Sequence, residues 1–233
     1  MPATKSKKTP KWRRCPEDRP QQIIRAALEE FGKCGLANAR LEDIARRAGV
    51  SKGTIYLYFP NKEELFKAMV RDTAVVAIKQ GEHDLTGGTA TEDLHIYMRR
   101  YWQFVRTPAF STLYRLVIGE LHQFPDLAQF YAREVIERAL KLLTGIIESG
   151  IRSGEFREME PVAAGRMLIA LLVMNAIWSD QYIGVPLLRH ESDEEIFQDL
   201  ARFYLHSISP SSGAYAQADG APLDAVQSIP LLK

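Results

Sequence analysis

Between residues 19 and 208 apolar side chains recur at three- and four-residue spacing, and the chain reads as a succession of helices. Ile23, Ala27 and Phe31, with Ile24 and Leu28 beside them, form one stripe; the helix they mark is expected to end near Gly35. Leu41, Ile44, Ala45 and Ala48 fall at i, i+3, i+4 and i+7, a two-turn helix, and Gly49 suits the left-handed position that stops it. Ser51 is placed to cap a very short third helix from Lys52 to Tyr58, closed by Phe59-Pro60. Asn61 with Glu64 three residues later has the spacing of a capping box and opens a fourth helix. Longer helices are predicted near 91–106, 109–121, 125–150, 160–182 and 192–208. Pro125 and Pro161 suit first-turn positions there, and Ser192 with Glu195 is a second capping box. No alternating run bounded by turn residues competes, so the expected fold class is all-α.

Composition divides this helical chain into parts. Residues 1–18 are rich in Lys, Arg and Pro and are expected to form a disordered basic arm; residues 210–233, rich in Ser, Gly, Ala and Pro, a disordered tail. Between them we expect an N-terminal three-helix unit at 19–66 and a larger helical domain at 67–209. The net charge of +1 conceals an asymmetry: residues 1–71 hold 16 Lys or Arg against 8 Asp or Glu, and the remainder 14 against 21. A basic front joined to an acidic back implies a polyanion-binding segment coupled to something with another task. Cys15 and Cys34 make no disulfide scaffold and lack partners for a zinc site. The apolar run Met167–Trp178 is short for a bilayer, and no hydrophobic stretch follows the basic N-terminus. A cytoplasmic protein without membrane contact is therefore expected. Nucleophile elbows, phosphate-binding glycine loops and zinc-type histidine spacings are missing, so no enzyme, metal or cofactor is expected.

Two short helices joined by the tight turn Ala48-Gly49-Val50-Ser51 have the form of a helix-turn-helix with cationic flanks. Arg46, Arg47, Lys52 and Lys62 stand near helix ends, where DNA phosphates are met by cations and free backbone N–H groups together. The residues themselves go further. Leu41-Glu42-Asp43-Ile44-Ala45, Ala48-Gly49-Val50-Ser51-Lys52-Gly53-Thr54-Ile55-Tyr56, Tyr58-Phe59 and Asn61-Lys62-Glu63-Glu64-Leu65 closely resemble the DNA-binding signature of the TetR/AcrR family of bacterial transcriptional regulators. The resemblance covers about residues 20 to 68. It implies that the third helix is the recognition helix in the major groove, behind its cap Ser51. Lys52, Gly53 and Thr54 then match positions that approach base edges, and Leu57 can touch a thymine methyl. Tyr56 and Lys62 match phosphate contacts, as does Tyr58 where relatives often carry histidine. The sequence departs from the pattern at Ala39 and Arg40, where Thr or Ser is usual. Arg40 replaces the phosphate contact by charge, and Asn38 is the candidate cap of the second helix.

Reading a palindromic double-stranded operator requires a homodimer. The last two long helices are the candidates: one is apolar all round through Met167, Leu168, Leu171, Leu172 and Ala176, the other carries Ile196, Phe197, Leu200, Phe203 and Tyr204 at helical spacing. The resemblance points to the same pair of helices. A small-molecule effector, of a kind the sequence does not name, is expected in the larger domain. Candidate lining residues are Trp102, Phe110, Tyr114, Phe124, Met174 and Trp178, each equally at home in an ordinary core. Glu120 and Asn175 are the polar candidates, Glu120 as a selector of cationic ligands. The expected function is a ligand-responsive regulator, a repressor released from its operator by the effector; the alternative is a DNA-binding protein without a ligand.

Overall fold

A computed structural model describes residues 19–181 and 192–210; the basic arm with Cys15 and the tail beyond residue 210 lie outside the described residues. Eleven α-helices run through the described residues, which contain no strand. The first unit holds α1 (Arg19–Asn38), α2 (Leu41–Arg47), α3 (Lys52–Tyr58) and α4 (Lys62–Val70). Of the predicted stripes Ile23, Ile24, Ala27, Phe31, Leu41, Ile44 and Ala45 are buried, and Leu36, Ile55, Leu65, Phe66 and Met69 complete the core, with Phe31 and Phe66 tilted against each other at 6.5 Å. Each such side chain contributes about 2 kcal/mol by leaving water. α1 breaks where the sequence put its end, at Gly35, which adopts φ 79° and ψ 167°. Gly49 (φ 66°) stops α2, and the Val50 N–H closes the turn on Ala45 O at 3.0 Å.

Arg47, expected among the phosphate-facing cations, instead turns toward α1. Its guanidinium meets Glu30 at 2.8 Å and Glu29 at 3.0 Å, fastening α2 to α1, and holds the Glu30 carboxyl below its ordinary range. The second helix has Arg40 as its N-cap residue without a side-chain cap. Asn38 does not take that role, because its amide donates to Cys34 O at 3.1 Å. At α4 the predicted box is half formed. Asn61 accepts from Glu64 N at 2.8 Å, but the Glu64 carboxylate is engaged by Lys67 at 2.8 Å.

The first unit also takes in residues 112–130, which the sequence assigned to the larger domain. This segment carries most of α7 (Pro108–Gly119), a 3₁₀ turn at Leu121–Gln123, and α8 (Pro125–Tyr131) up to Phe130.

The second unit, residues 74–111 and 131 onward, holds α5 (Val76–His83), α6 (Ala90–Val105), α9 (Arg138–Ser153), α10 (Pro161–Gln181) and α11 (Asp193–Ile208). Within it α6, α9 and α10 pack on one another, and α11 lies against α6 and α10. The single helix predicted at 125–150 is interrupted by a π-helical stretch, Ala132–Glu137, between α8 and α9; another, Arg71–Val75, joins α4 to α5. Reciprocal capping boxes open α6 (Thr89 and Glu92) and α11 (Ser192 and Glu195). Glu155, after α9, adds a second cap to α6: its carboxylate accepts from Ala90 N at 3.1 Å and from Thr91 N and Oγ1 at 2.9 and 2.8 Å. These donors at the positive helix end hold its pKa down at about 2. α10 outruns the apolar core seen in the sequence, and its stretch Pro161–Trp178 is long and apolar enough to cross a bilayer by length and composition.

Candidate functional site

Helix α3, the expected recognition helix, stands on two buried anchors, Ile55 and Phe59. Ser51 accepts from Thr54 N at 3.1 Å, and the two hydroxyls meet at 2.8 Å, so the cap fixes the start of α3. The opposite face is exposed. Lys52 and Gly53 are exposed, as are Tyr56 (41%) and Leu57 (80%); a leucine so exposed serves no core. Tyr58 and Thr54 are half-buried at its edge, and Arg40 lies exposed at the start of α2.

One residue of this face was not foreseen. Glu42 on α2 takes Lys52 Nζ at 2.8 Å and the Tyr56 hydroxyl at 3.2 Å on the same carboxylate oxygen. The Lys52 ammonium, chiefly, brings the Glu42 carboxyl to about 2, and Lys52 is raised in return. The spacing of Lys52 and Tyr56, i and i+4 on one helix face, was the available signal that both meet one partner.

Lys62 and Glu120 bracket a single residue, Ala37. Ala37 N donates to Glu120 Oε2 at 2.8 Å, and Lys62 Nζ donates to Ala37 O at 2.6 Å while standing 5.9 Å from the centre of the Phe124 ring. A Cβ at position 35 would fall 2.2 Å from Glu120 Oε1, so Gly35 is required by this approach as well as by its positive φ. Glu120 and Phe124, read from sequence as effector contacts, are therefore engaged within the first unit. Lys62 keeps two further ammonium protons for another acceptor.

The second unit contains a mostly apolar cavity of about 100 Å³ walled by α5, α6, the π-helical stretch and α9; its lining includes Ile78, Tyr97, Tyr101, Phe104, Phe110, Tyr131, Val135, Ile136 and Ile169. Of the predicted contacts Phe110 lines it. Trp102 is core, donating from Nε1 to Asp193 O at 3.2 Å. Asn175 turns back on its own helix, donating to Leu171 O at 2.9 Å. Met174 and Trp178 lie on the exposed side of α10, and Tyr114 belongs to the segment grouped with the first unit. Missed were the tyrosines, although Tyr97, Tyr101 and Phe104 stand at i, i+4 and i+7. Tyr97 stacks on Tyr101 at 5.9 Å, Tyr101 meets Phe104 edge-on at 6.5 Å, and Phe104 meets Phe110 at 5.3 Å. Among the described residues no group of three or more His, Cys, Asp or Glu side chains is placed to hold a metal ion.

A capped helix with an exposed polar face, built on an anchored two-helix turn and followed by a separate helical unit, defines a helix-turn-helix DNA-binding regulator. Residues 23–69 match the family described as bacterial regulatory proteins, tetR family, and residues 86–193 match the tetracyclin repressor-like, C-terminal domain. The fatty acid metabolism regulator protein of Bacillus subtilis is 32% identical over 149 residues, 64% of this chain and 76% of that protein. The transcriptional regulator RutR of Escherichia coli is 43% identical over 172 residues, 66% of this chain and 72% of its own. Among solved structures, the regulator FadR of Bacillus subtilis in complex with stearoyl-CoA superposes with a TM-score of 0.66 at 26% identity, covering 81% of this chain and 98% of that one. The chain belongs to the TetR family of bacterial transcriptional regulators, and it is a DNA-binding regulator rather than an enzyme.

Proposed function

We propose that the protein is a cytoplasmic, homodimeric repressor that binds a palindromic operator and leaves it when a small molecule enters the second unit. The exposed face of α3 carries this reading: Lys52, Gly53, Thr54 and Leu57 approach base edges, while Arg40, Tyr56, Tyr58 and Lys62 contact phosphates. The dimer forms through α10 and α11, where Met167, Met174, Trp178 and Phe203 leave large apolar surfaces uncovered. The apolar cavity supports effector control, as does the stearoyl-CoA complex of the related FadR. The effector favours a state in which the two recognition helices no longer match successive major grooves, and operator DNA weakens effector binding by the same factor.

Selection of bound sequences from random double-stranded DNA, repeated at two salt concentrations, tests this. A palindromic consensus is expected. With six to ten phosphates neutralised per dimer, affinity falls roughly 10³- to 10⁵-fold between 50 and 200 mM salt. Recovery of no preferred sequence by folded dimer defeats the proposal.

A further inference from the structure

Three phenols gather at the cavity of the second unit, and they are not equivalent. The Tyr97 hydroxyl is satisfied, donating to Ala139 O at 3.4 Å. The hydroxyls of Tyr101 and Tyr131 have no hydrogen-bond partner among the described residues, although both rings line the cavity. Burial pushes the Tyr131 hydroxyl up to about 12 and Tyr101 higher still, with Tyr97 and Tyr131 adding to the effect on Tyr101. Both stay neutral and are ready to donate. Both residues are half-buried and their hydroxyls still reach open space, so Phe in either place changes stability little.

Two further features shape what fits. Among the described residues the one charged member of the lining is Arg100, which pairs with Asp84, its Nε standing 2.6 Å from Oδ2. The described lining offers no carboxylate to hold a cation. The wall beside Tyr131 is the π-helical stretch Ala132–Glu137, which contributes Val135 and Ile136; such bulges recur where a helix wall is shaped around a site. The volume of about 100 Å³ is below the roughly 150 Å³ of an apolar cavity that holds benzene, so it limits an occupant to a single ring that the walls must yield to admit. A long acyl chain does not fit it.

Resting on the effector reading above, we infer that the effector is a compact, uncharged aromatic carbonyl compound whose oxygen accepts hydrogen bonds from Tyr101 and Tyr131. Its ring lies among Phe104, Phe110 and Ile169.

Calorimetry on the full chain with four matched probes tests this: acetophenone, ethylbenzene, benzoate and phenyltrimethylammonium. Acetophenone is expected to bind most tightly, and the Tyr101→Phe, Tyr131→Phe double variant to weaken it about tenfold while leaving ethylbenzene unchanged. The same variant is expected to melt close to the wild-type temperature, whereas Tyr97→Phe melts lower because it loses the hydroxyl's bond to Ala139 O. Tighter binding of either ion, absence of acetophenone binding, or indifference of acetophenone to the double variant overturns the assignment. Operator binding measured alongside separates the two readings. Acetophenone that binds through the tyrosines without shifting operator affinity keeps the cavity chemistry and removes its sensor role. Release of operator by another small molecule, with acetophenone inert, keeps the sensor and removes this chemistry.

Discussion

Glu42 sets the charge on the face of α3 that is proposed to meet DNA. It holds Lys52 at 2.8 Å and Tyr56 at 3.2 Å, so a phosphate must displace a carboxylate to recruit either group. Glu42→Gln keeps an acceptor for Tyr56 and frees Lys52. Affinity for random duplex is expected to rise about two- to fivefold, and the slope of log K against log salt to steepen by about 0.9, one more phosphate. Fluorescence anisotropy across a salt series measures both, and an unchanged slope would show that Lys52 takes no part. Much of this face was legible: Ser51 to Lys62 are neighbours in the chain, and local chemistry placed cap, anchors and exposed residues. Glu120 was not. It lies 83 residues from Ala37, and an acid beside apolar helices looks like a ligand selector until the fold brings that peptide to it.

At the scale of elements, stops and caps were readable wherever one or two side chains decide them. Gly35, Gly49, Ser51 and Ser192 act as the sequence predicts. Where a second partner competes the reading failed, as when Lys67 takes Glu64 from the box at α4. Neither π-helical stretch has a residue signature, since Arg71–Val75 and Ala132–Glu137 use ordinary helix formers. The cap at α6 offers a test in pH. Glu155 titrates near 2 when folded and near 4.5 when free, so the unfolded chain takes up its proton first as the solution is acidified. Its contribution is therefore whole above pH 4.5, declines as pH falls toward 2, and is gone below. Glu155→Gln is expected to cost about 1 kcal/mol at pH 7, a difference that shrinks in acid. Urea denaturation of both proteins at pH 7 and pH 3 measures it; a pH-independent difference would mean that packing, not charge, joins Glu155 to α6.

At the scale of the molecule, α10 poses a choice of solvent. Its stretch Pro161–Trp178 is apolar enough for a bilayer, yet only 28% of it is buried. Leu168, Leu172 and Ala176 are sunk in the helix's own unit, so a single side remains to be covered, whereas lipid would surround the helix. Arg166, exposed within that stretch, would cost about 3 kcal/mol near a bilayer centre. A second copy of the chain answers both objections, because it covers one face and leaves the arginine at a wet rim. Met167 and Phe203, each 64% exposed, are the sharpest probes, since replacing them disturbs little in the protomer. Met167→Glu with Phe203→Glu is expected to give a helical monomer by light scattering. Its operator affinity should fall at least about 100-fold, because two half-sites are then no longer engaged by one linked particle. The salt dependence should fall to about half the wild-type slope, each protomer now releasing only its own counterions. A double variant that remains dimeric and reads the operator normally would place the symmetry axis elsewhere and leave the bare face of α10 without an occupant.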